Sequence, residues 1–322
     1  MELVSLGERT WYIPGRVNVG YYEEGDCGYL IDSGLDDDQG RKVMKLLRET
    51  RGVRTEAQPQ GSRTLRAIIT THAHPDHIGA TPFIQKRTNC EVWATDIEGV
   101  LAKRPPMVPL MAWSAKPFPS VVIGSAKKFL EARPSSRVSF IEDGTGPRKI
   151  MDTELVAEPL PGHSVDMIGV LTPDRVFFLA DAVLDPSVLE KYRFSVMIDI
   201  AAELETLNKI ETMSGVEWFV PCHAPVVRDA AELVRHNRES LRWVEESILT
   251  ALSEGPMSRE DVFAKIADKS GIELDVKQIL LDLSSVSAHL TYLAERGEVE
   301  PFVSDCHILW RLCREKREKG AV

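Results

Sequence analysis

The chain has 322 residues, 43% of them hydrophobic and 27% charged, with a formal net charge of −10. That length fits one large domain with a small appendage, and those fractions describe a globular chain, not a disordered one. The acidic balance argues against a general polyanion-binding surface, and no apolar run reaches the ~20 residues that a bilayer-spanning helix needs.

The first residues, Met1-Glu2-Leu3-Val4-Ser5, show no basic stretch leading into an apolar core, so no secretory leader is expected. Cys27, Cys90, Cys222, Cys306 and Cys313 form an odd set with no Cys-x-x-Cys pair. They argue against a disulfide framework and for a reducing, cytoplasmic setting.

In chain order, residues 9–14 and 17–22 read as short strands rich in aromatic and β-branched side chains, and 28–32 as a third. Residues 39–51 have helical spacing through Val43, Leu46 and Leu47. Residues 65–71 read as a strand that runs directly into His72-Ala73-His74-Pro75-Asp76-His77. Alternate residues of an extended segment point the same way, so His72 and His74 can face one ion. Pro75 then forces a turn, which redirects Asp76 and His77 toward a second position. Imidazoles with a carboxylate suit a divalent ion such as zinc.

A helix over 79–86 and a strand over 90–94 follow. Residues 101–119 hold five prolines and few helix signals, while 121–132 return to a helical pattern. An insertion of this kind, spanning about 96–136, is expected to act as a cap over the metal site. Strands are expected over 138–141, 154–160, 166–171 and 175–179, then a helix over 201–213, a strand over 218–220 and a long helix over 229–252. Helices alternating with strands across two comparable halves predict two sheets covered by helices on their outer faces. A boundary at Ser253-Glu254-Gly255-Pro256 divides the chain into 1–253 and 254–322. The second part reads as a helix over 258–267 capped by Ser258, two helices within 276–296 meeting near Ser284-Ser285, and a hairpin over 298–312.

The motif uses three of eight histidines. Among the other five, His163 and His223 each directly follow a strand and a turn, where backbone positions a ligand firmly. His236, His289 and His307 fall inside helix or hairpin patterns and read as structural or surface residues. Asp181 ends an apolar strand pointing into the core, and a carboxylate there is costly unless paired or metal-bound. It suits a bridging role, one oxygen to each of two ions. Asp32, at the end of another apolar strand, is assigned to orienting a ligand histidine or its loop.

The order Asp32, His72-x-His74-x-Asp76-His77, His163, Asp181, His223 resembles the metallo-β-lactamase superfamily over about residues 1–250. The resemblance implies an α/β fold, an αββα sandwich with its metal site at one edge. His72, His74 and His163 would then bind a first ion, and Asp76, His77 and His223 a second. Asp181 would bridge them, and Asp76 and Asp181 would be the catalytic carboxylates. A complete second site is similar to the glyoxalase II-like hydrolase branch and unlike the antibiotic-degrading lactamases. The expected cofactors are two divalent ions, zinc foremost, with iron or manganese as alternatives. The expected reaction is attack by a hydroxide shared between the ions on a small ester, thioester or lactone. An RNA nuclease and an iron-dependent redox enzyme are the alternatives.

Relatives often carry glycine before the bridging aspartate and before the last histidine; here Ala180 reads as a small change and Cys222 as an apolar filler. Residues 254–322 resemble the winged-helix domain appended to some lactamase-like endoribonucleases. Their would-be recognition helix has no lysine or arginine between Lys277 and Arg296. It is expected to pack or to wall a substrate pocket, not to read DNA. The expected partner is a small molecule, not nucleic acid or membrane, and the oligomeric state is open.

Overall fold

The structure, a computed structural model, describes residues 1–313 apart from 58, 117–131, 143 and 273. Strands β1 (Val4–Ser5), β2 (Thr10–Ile13), β3 (Val19–Glu24), β4 (Cys27–Ile31), β5 (Thr64–Ile69), β6 (Glu91–Ala94) and β7 (Val138–Phe140) form one sheet in that order. β1 to β4 pair antiparallel, and β4 to β7 pair parallel. Strands β8 (Arg148–Lys149), β9 (Val156–Pro159), β10 (Ile168–Leu171), β11 (Val176–Leu184) and β12 (Trp218–His223) form a second sheet, ordered β12-β11-β10-β9-β8. Only β11 and β12 are parallel in it.

The period-two pattern of each strand decides what lies between the sheets. Tyr22, Tyr29, Ala67 and Ile69 of the first sheet meet Ile168, Val170, Phe178 and Val220 of the second in one buried cluster. Ile68 faces outward, onto Val43, Met44 and Leu47 of helix α1 (Asp37–Arg51), and a register shift against Gly28 and Tyr29 puts Leu65 in the same outer cluster. That helix starts where Asp36 accepts from the amides of Asp38 and Gln39 and stops at Gly52, whose φ of 67° is left-handed. Across the molecule, Phe177 and Leu179 face helices α7 (Ile200–Thr212) and α8 (Ala231–Ser253) through Leu207, Ile210, Val234 and Leu241. The layers are therefore helix, sheet, sheet, helix, as expected.

Along the chain between α1 and α7 come α2 (Pro75–Ile78), α3 (Thr81–Thr88), α4 (Asp96–Lys103), α5 (Met107–Trp113) and α6 (Pro186–Tyr192). Helices α4 and α5 occupy the stretch whose prolines discouraged helix. Pro105 and Pro106 fall between them, and Pro109 sits in the first turn of α5, where a missing N–H costs little. The helical pattern expected over 121–132 lies, but for Ala132, outside the described residues.

The C-terminal part holds α9 (Arg259–Ser270), α10 (Val276–Glu295) and a hairpin of β13 (Val299–Ser304) and β14 (His307–Leu312). Ser258 caps α9 by accepting from the Asp261 amide, as its sequence signalled. Residues 276–295 form one helix where two were expected. Ser284 and Ser285 do not break it, because no glycine or proline accompanies them. Ser287 Oγ instead donates to the Leu283 carbonyl inside the helix, and Ser285 Oγ to the Ser195 carbonyl outside it. Val262, Phe263, Ile266, Val286, Leu290 and Leu293 form a core of their own, closed by Val244, Ile248 and Leu252 of α8 and by Phe194. No helix of the described residues is long and apolar enough to cross a membrane.

Buried in α10, His289 is 1% exposed and its Nδ1 has no partner among the described residues. Burial pulls its pKa down to about 3. The folded chain thus refuses a proton that the unfolded chain accepts near pH 6.5. The stability tied to this residue is complete above pH 6.5 and is lost as pH falls toward 3. At pH 5 the loss should be on the order of 2 kcal/mol. Urea unfolding of the wild type and of His289→Leu at pH 5 and pH 7 should show the variant markedly less acid-sensitive.

Candidate metal centre

Strand β5 runs between β4 and β6 and leaves the sheet at Thr70. The chain stays extended through His74, whose φ of −69° and ψ of 146° place it as the N-cap of α2, with Pro75 next at the first helical position. That change from extended chain to helix re-aims Asp76 and His77, while the His77 ring stays against that of His72, 4.0 Å between centroids. Gly79 closes the turn, and no other residue fits there: a Cβ would lie 1.8 Å from the Leu35 carbonyl oxygen.

All seven candidate residues come together. His163 arrives on the loop after β9, and its Nε2 lies 2.9 Å from His74 Nδ1, which is 3.0 Å from His72 Nε2. His223 ends β12, and its Nε2 lies 3.2 Å from Asp76 Oδ2. Asp181 stands between the two sets. Its Oδ1 faces His77 Nε2 at 3.3 Å, and its Oδ2 faces His163 and His72 at 3.5 and 3.8 Å and His223 at 3.5 Å. His72, His74, His163 and Asp181 form one group able to hold an ion, and Asp76, His77 and His223 a second.

Asp181 does not end its strand, as its sequence suggested; β11 continues to Leu184. The pairing with β12 slips between Phe178 and Ala180 and again before Leu184. Ala180 at the first slip has a φ of 50°. This β-bulge re-aims one side chain without ending the sheet. Alanine is therefore not a neutral replacement for glycine there, since a left-handed backbone strains any residue with a Cβ.

Further residues orient these groups. Asp32, itself at φ 59°, accepts from the Thr71 amide at 2.9 Å, the Thr71 hydroxyl at 2.8 Å and His77 Nδ1 at 2.8 Å. It thus fixes the ring and turns Nε2 toward Asp181. His223 Nδ1 donates to the Arg16 carbonyl at 3.1 Å, a partner with no sequence signal because it is backbone. Cys222 points its Sγ at Asp32 Oδ2, 3.8 Å away, and burial pushes the thiol up to about 12. It therefore remains a neutral thiol and weak donor, not a thiolate. Glu98 of α4, which sequence reasoning passed over, accepts from the Ala73 amide and the Ser164 hydroxyl.

Electrostatics prepare the site for cations. Burial holds His72 well below its ordinary pKa and His163 at about 3, leaving their nitrogen lone pairs unprotonated. Burial would raise Asp76 and Asp181, but the His223 hydrogen bond holds Asp76 down at about 2, and His77 and His223 hold Asp181 well below the usual range. Burial would lower His77, but Asp181 and Asp32 raise it well above its usual value, so its proton occupies the place of a cation. The buried His77 Nε2 and Asp181 Oδ1 have no hydrogen-bond partner among the described residues. Orphaned ligand atoms, converging imidazoles and an ionised carboxylate between them fit divalent ions.

A cavity of about 920 Å³ opens over the site, lined by Asp76, His163, Asp181 and His223 at the metal end. Leu184, Val188 and Phe194 line its apolar side, and Arg16 and Lys191 also contribute. Gln278 and Leu281 of α10 complete the wall. None of the described residues in 96–136 lines it. Tyr192 also lines the cavity, while the neighbouring Arg193 lies over the Trp243 ring.

The Metallo-beta-lactamase superfamily family model matches residues 12–223, and the chain belongs to that superfamily. Two solved structures are similar over nearly the whole length. A beta-lactamase domain protein from Burkholderia ambifaria is 18% identical with a TM-score of 0.70, covering 96% of this chain and 93% of that one. A metallo-beta-lactamase family protein from Thermus thermophilus is 17% identical with a TM-score of 0.69, covering 95% and 100%. A metallo-beta-lactamase from Pontibacter korlensis, 16% identical with a TM-score of 0.52, covers 75% of this chain and 98% of that one. At these identities the likeness establishes the fold. The first two match nearly the whole chain, so that likeness is not confined to residues 1–253.

The left-handed backbone at Ala180 yields a sharp expectation. Ala180→Val should cost on the order of 2 kcal/mol or more, because a β-branched residue is a true outlier at that φ. Ala180→Gly should stay within about 1 kcal/mol of wild type, relieved strain offsetting the lost methyl. Urea denaturation of both variants measures this.

Proposed function

We propose that the protein is a hydrolase whose centre holds two divalent ions, zinc foremost, and opens a small ester, thioester or lactone. The observation that carries this reading is Asp181, one buried carboxylate set among both groups of imidazoles, Oδ1 toward His77 and Oδ2 toward His72, His163 and His223, at the end of an open cavity. His72, His74 and His163 would hold one ion, Asp76, His77 and His223 the other, with Asp181 shared. Bound there, the ions would supply a nucleophile at neutral pH and draw off charge developing on the substrate oxygen.

The remaining work falls to the chain itself. Asp32 and the Arg16 carbonyl keep His77 and His223 aimed. Asp76, ionised and lining the cavity, is placed to hold the proton released as water adds to the carbonyl carbon. That proton passes to the leaving oxygen or sulfur as its bond to carbon breaks. No serine or cysteine nucleophile is required, and Cys222 is unsuited to the role as a buried neutral thiol.

Substrate size and polarity follow from the wall. Val188, Phe194 and Leu281 favour an apolar acyl group, while Arg16 and Lys191 favour a polar or anionic remainder. Lys191 meets no carboxylate among the described residues, only the Tyr192 hydroxyl at 3.2 Å. The division at 253/254 and the winged-helix likeness of the C-terminal part belong to the same reading, with that part serving as cavity wall. Its would-be recognition helix, α10, is already engaged with the catalytic layers through Ser285 and Ala288. A nucleic-acid ligand gains no support from this arrangement.

The test is metal analysis of the purified protein, then assays with zinc, manganese and iron against esters, thioesters, lactones and RNA. Ester, thioester or lactone turnover that is lost on chelation is expected. Asp181→Asn should lower kcat/KM on the order of a thousandfold. Leu281→Trp, which narrows the wall, should raise KM for bulky acyl groups about tenfold with kcat little changed. RNA cleavage without ester turnover would replace this reading.

A further inference from the structure

We propose that Glu98 is a positioning residue that clamps together the two chain segments carrying His72, His74 and His163, and so sets the fit of one ion without touching its ligands. The proposal rests on the metal-dependent reading above. Glu98 lies in the first turn of α4 and is 1% exposed. A carboxylate so buried is costly unless its oxygens are satisfied, and the donors that satisfy it come from two places far apart in sequence. Oε2 accepts from the Ala73 amide at 2.8 Å. Oε1 accepts from the Ser164 hydroxyl at 2.5 Å and the Asp166 amide at 3.4 Å.

Ala73 is the residue between His72 and His74, and Ser164 directly follows His163. The same helical turn adds another tie, Thr95 Oγ1 donating to the Asp166 carbonyl at 2.8 Å. One carboxylate thus fixes the spacing of three imidazoles whose facing nitrogens lie 2.9 and 3.0 Å apart. Asp32 serves His77, a member of the other group. Each candidate ion position therefore has its own buried carboxylate behind it, Asp32 acting on a ring and Glu98 on backbone. Packing alone gives no reason for a charge at position 98, since an apolar residue of similar volume usually serves a buried site as well or better.

The test uses the full-length chain, stripped by chelator and titrated with zinc against a chromophoric competitor, with circular dichroism to report folding. Glu98→Leu should weaken one of the two ions about 10- to 100-fold, the usual effect of losing an outer support. The other ion should bind as in wild type, and the weakened ion should be the one that His163→Ala weakens further. Glu98→Gln should recover most of the affinity, because its amide oxygen can accept from Ala73 and its NH2 can donate to a rotated Ser164 hydroxyl. If Glu98→Leu does not fold, Ser164→Ala, which removes one anchor only, must weaken the same ion selectively. Wild-type affinity at both positions in Glu98→Leu or, where that variant does not fold, in Ser164→Ala, or equal weakening at both, overturns the proposal. A wild type that takes up no metal overturns it together with the functional reading. A wild type that binds two ions and hydrolyses nothing overturns the functional reading alone.

Discussion

The structure depends on one awkward object, a carboxylate 4% exposed on a strand whose nine residues are all buried. Asp181 cannot sit there ionised without positive charge around it, because an unpaired buried charge is among the most costly features a fold can hold. Its surroundings answer that demand. Against burial, Asp181 and Asp32 raise the His77 pKa well above its usual value, and Asp181 and Asp76 raise that of His223. A protein built only to be stable would place a hydrocarbon here. The arrangement makes sense as a cradle for cations stronger than a proton.

Placing that carboxylate requires several levels of structure at once. The parallel pairing of β11 with β12 brings Asp181 and His223 to the same edge, and the bulge at Ala180 turns the carboxylate to face across the sheets. From the other sheet, β5 delivers the histidine segment beside β4, whose end supplies Asp32. The two halves meet through Tyr29, Ile69, Ile168 and Val220, a rigid apolar seam that fixes their spacing. Ligands at strand ends inherit that rigidity.

Much of this was legible in the residues. The helix, sheet, sheet, helix layering followed from strand alternation and helical spacing, and the gathering of His72 to His77 with His163, Asp181 and His223 from motif spacing and strand ends. What escaped was mostly tertiary. Glu98 gave no sign, since it falls in the stretch read as an insertion and its partners, the Ala73 amide and the Ser164 hydroxyl, are distant in sequence. The Arg16 carbonyl is backbone and carries no residue identity. Ala180 looked innocuous because φ cannot be read from composition, and the paired serines of α10 suggested a break, whereas the helix runs on and Ser285 donates outward to the Ser195 carbonyl. Gln278 and Leu281 reach the cavity only because the C-terminal helices fold back on the core.

That folding back has a further consequence through α8. Its first turns, with Val234 and Leu241, cover the second sheet, while Val244, Ile248 and Leu252 complete the hydrophobic centre of the C-terminal helices. The same rod is thus a structural member of both parts. Chopping the gene after codon 253 would leave a greasy end projecting into solvent, and shuffling the tail between relatives would need to carry half of that rod along. Natural variation in the cavity wall would then arise by drift of residues along α10, not by exchange of whole modules.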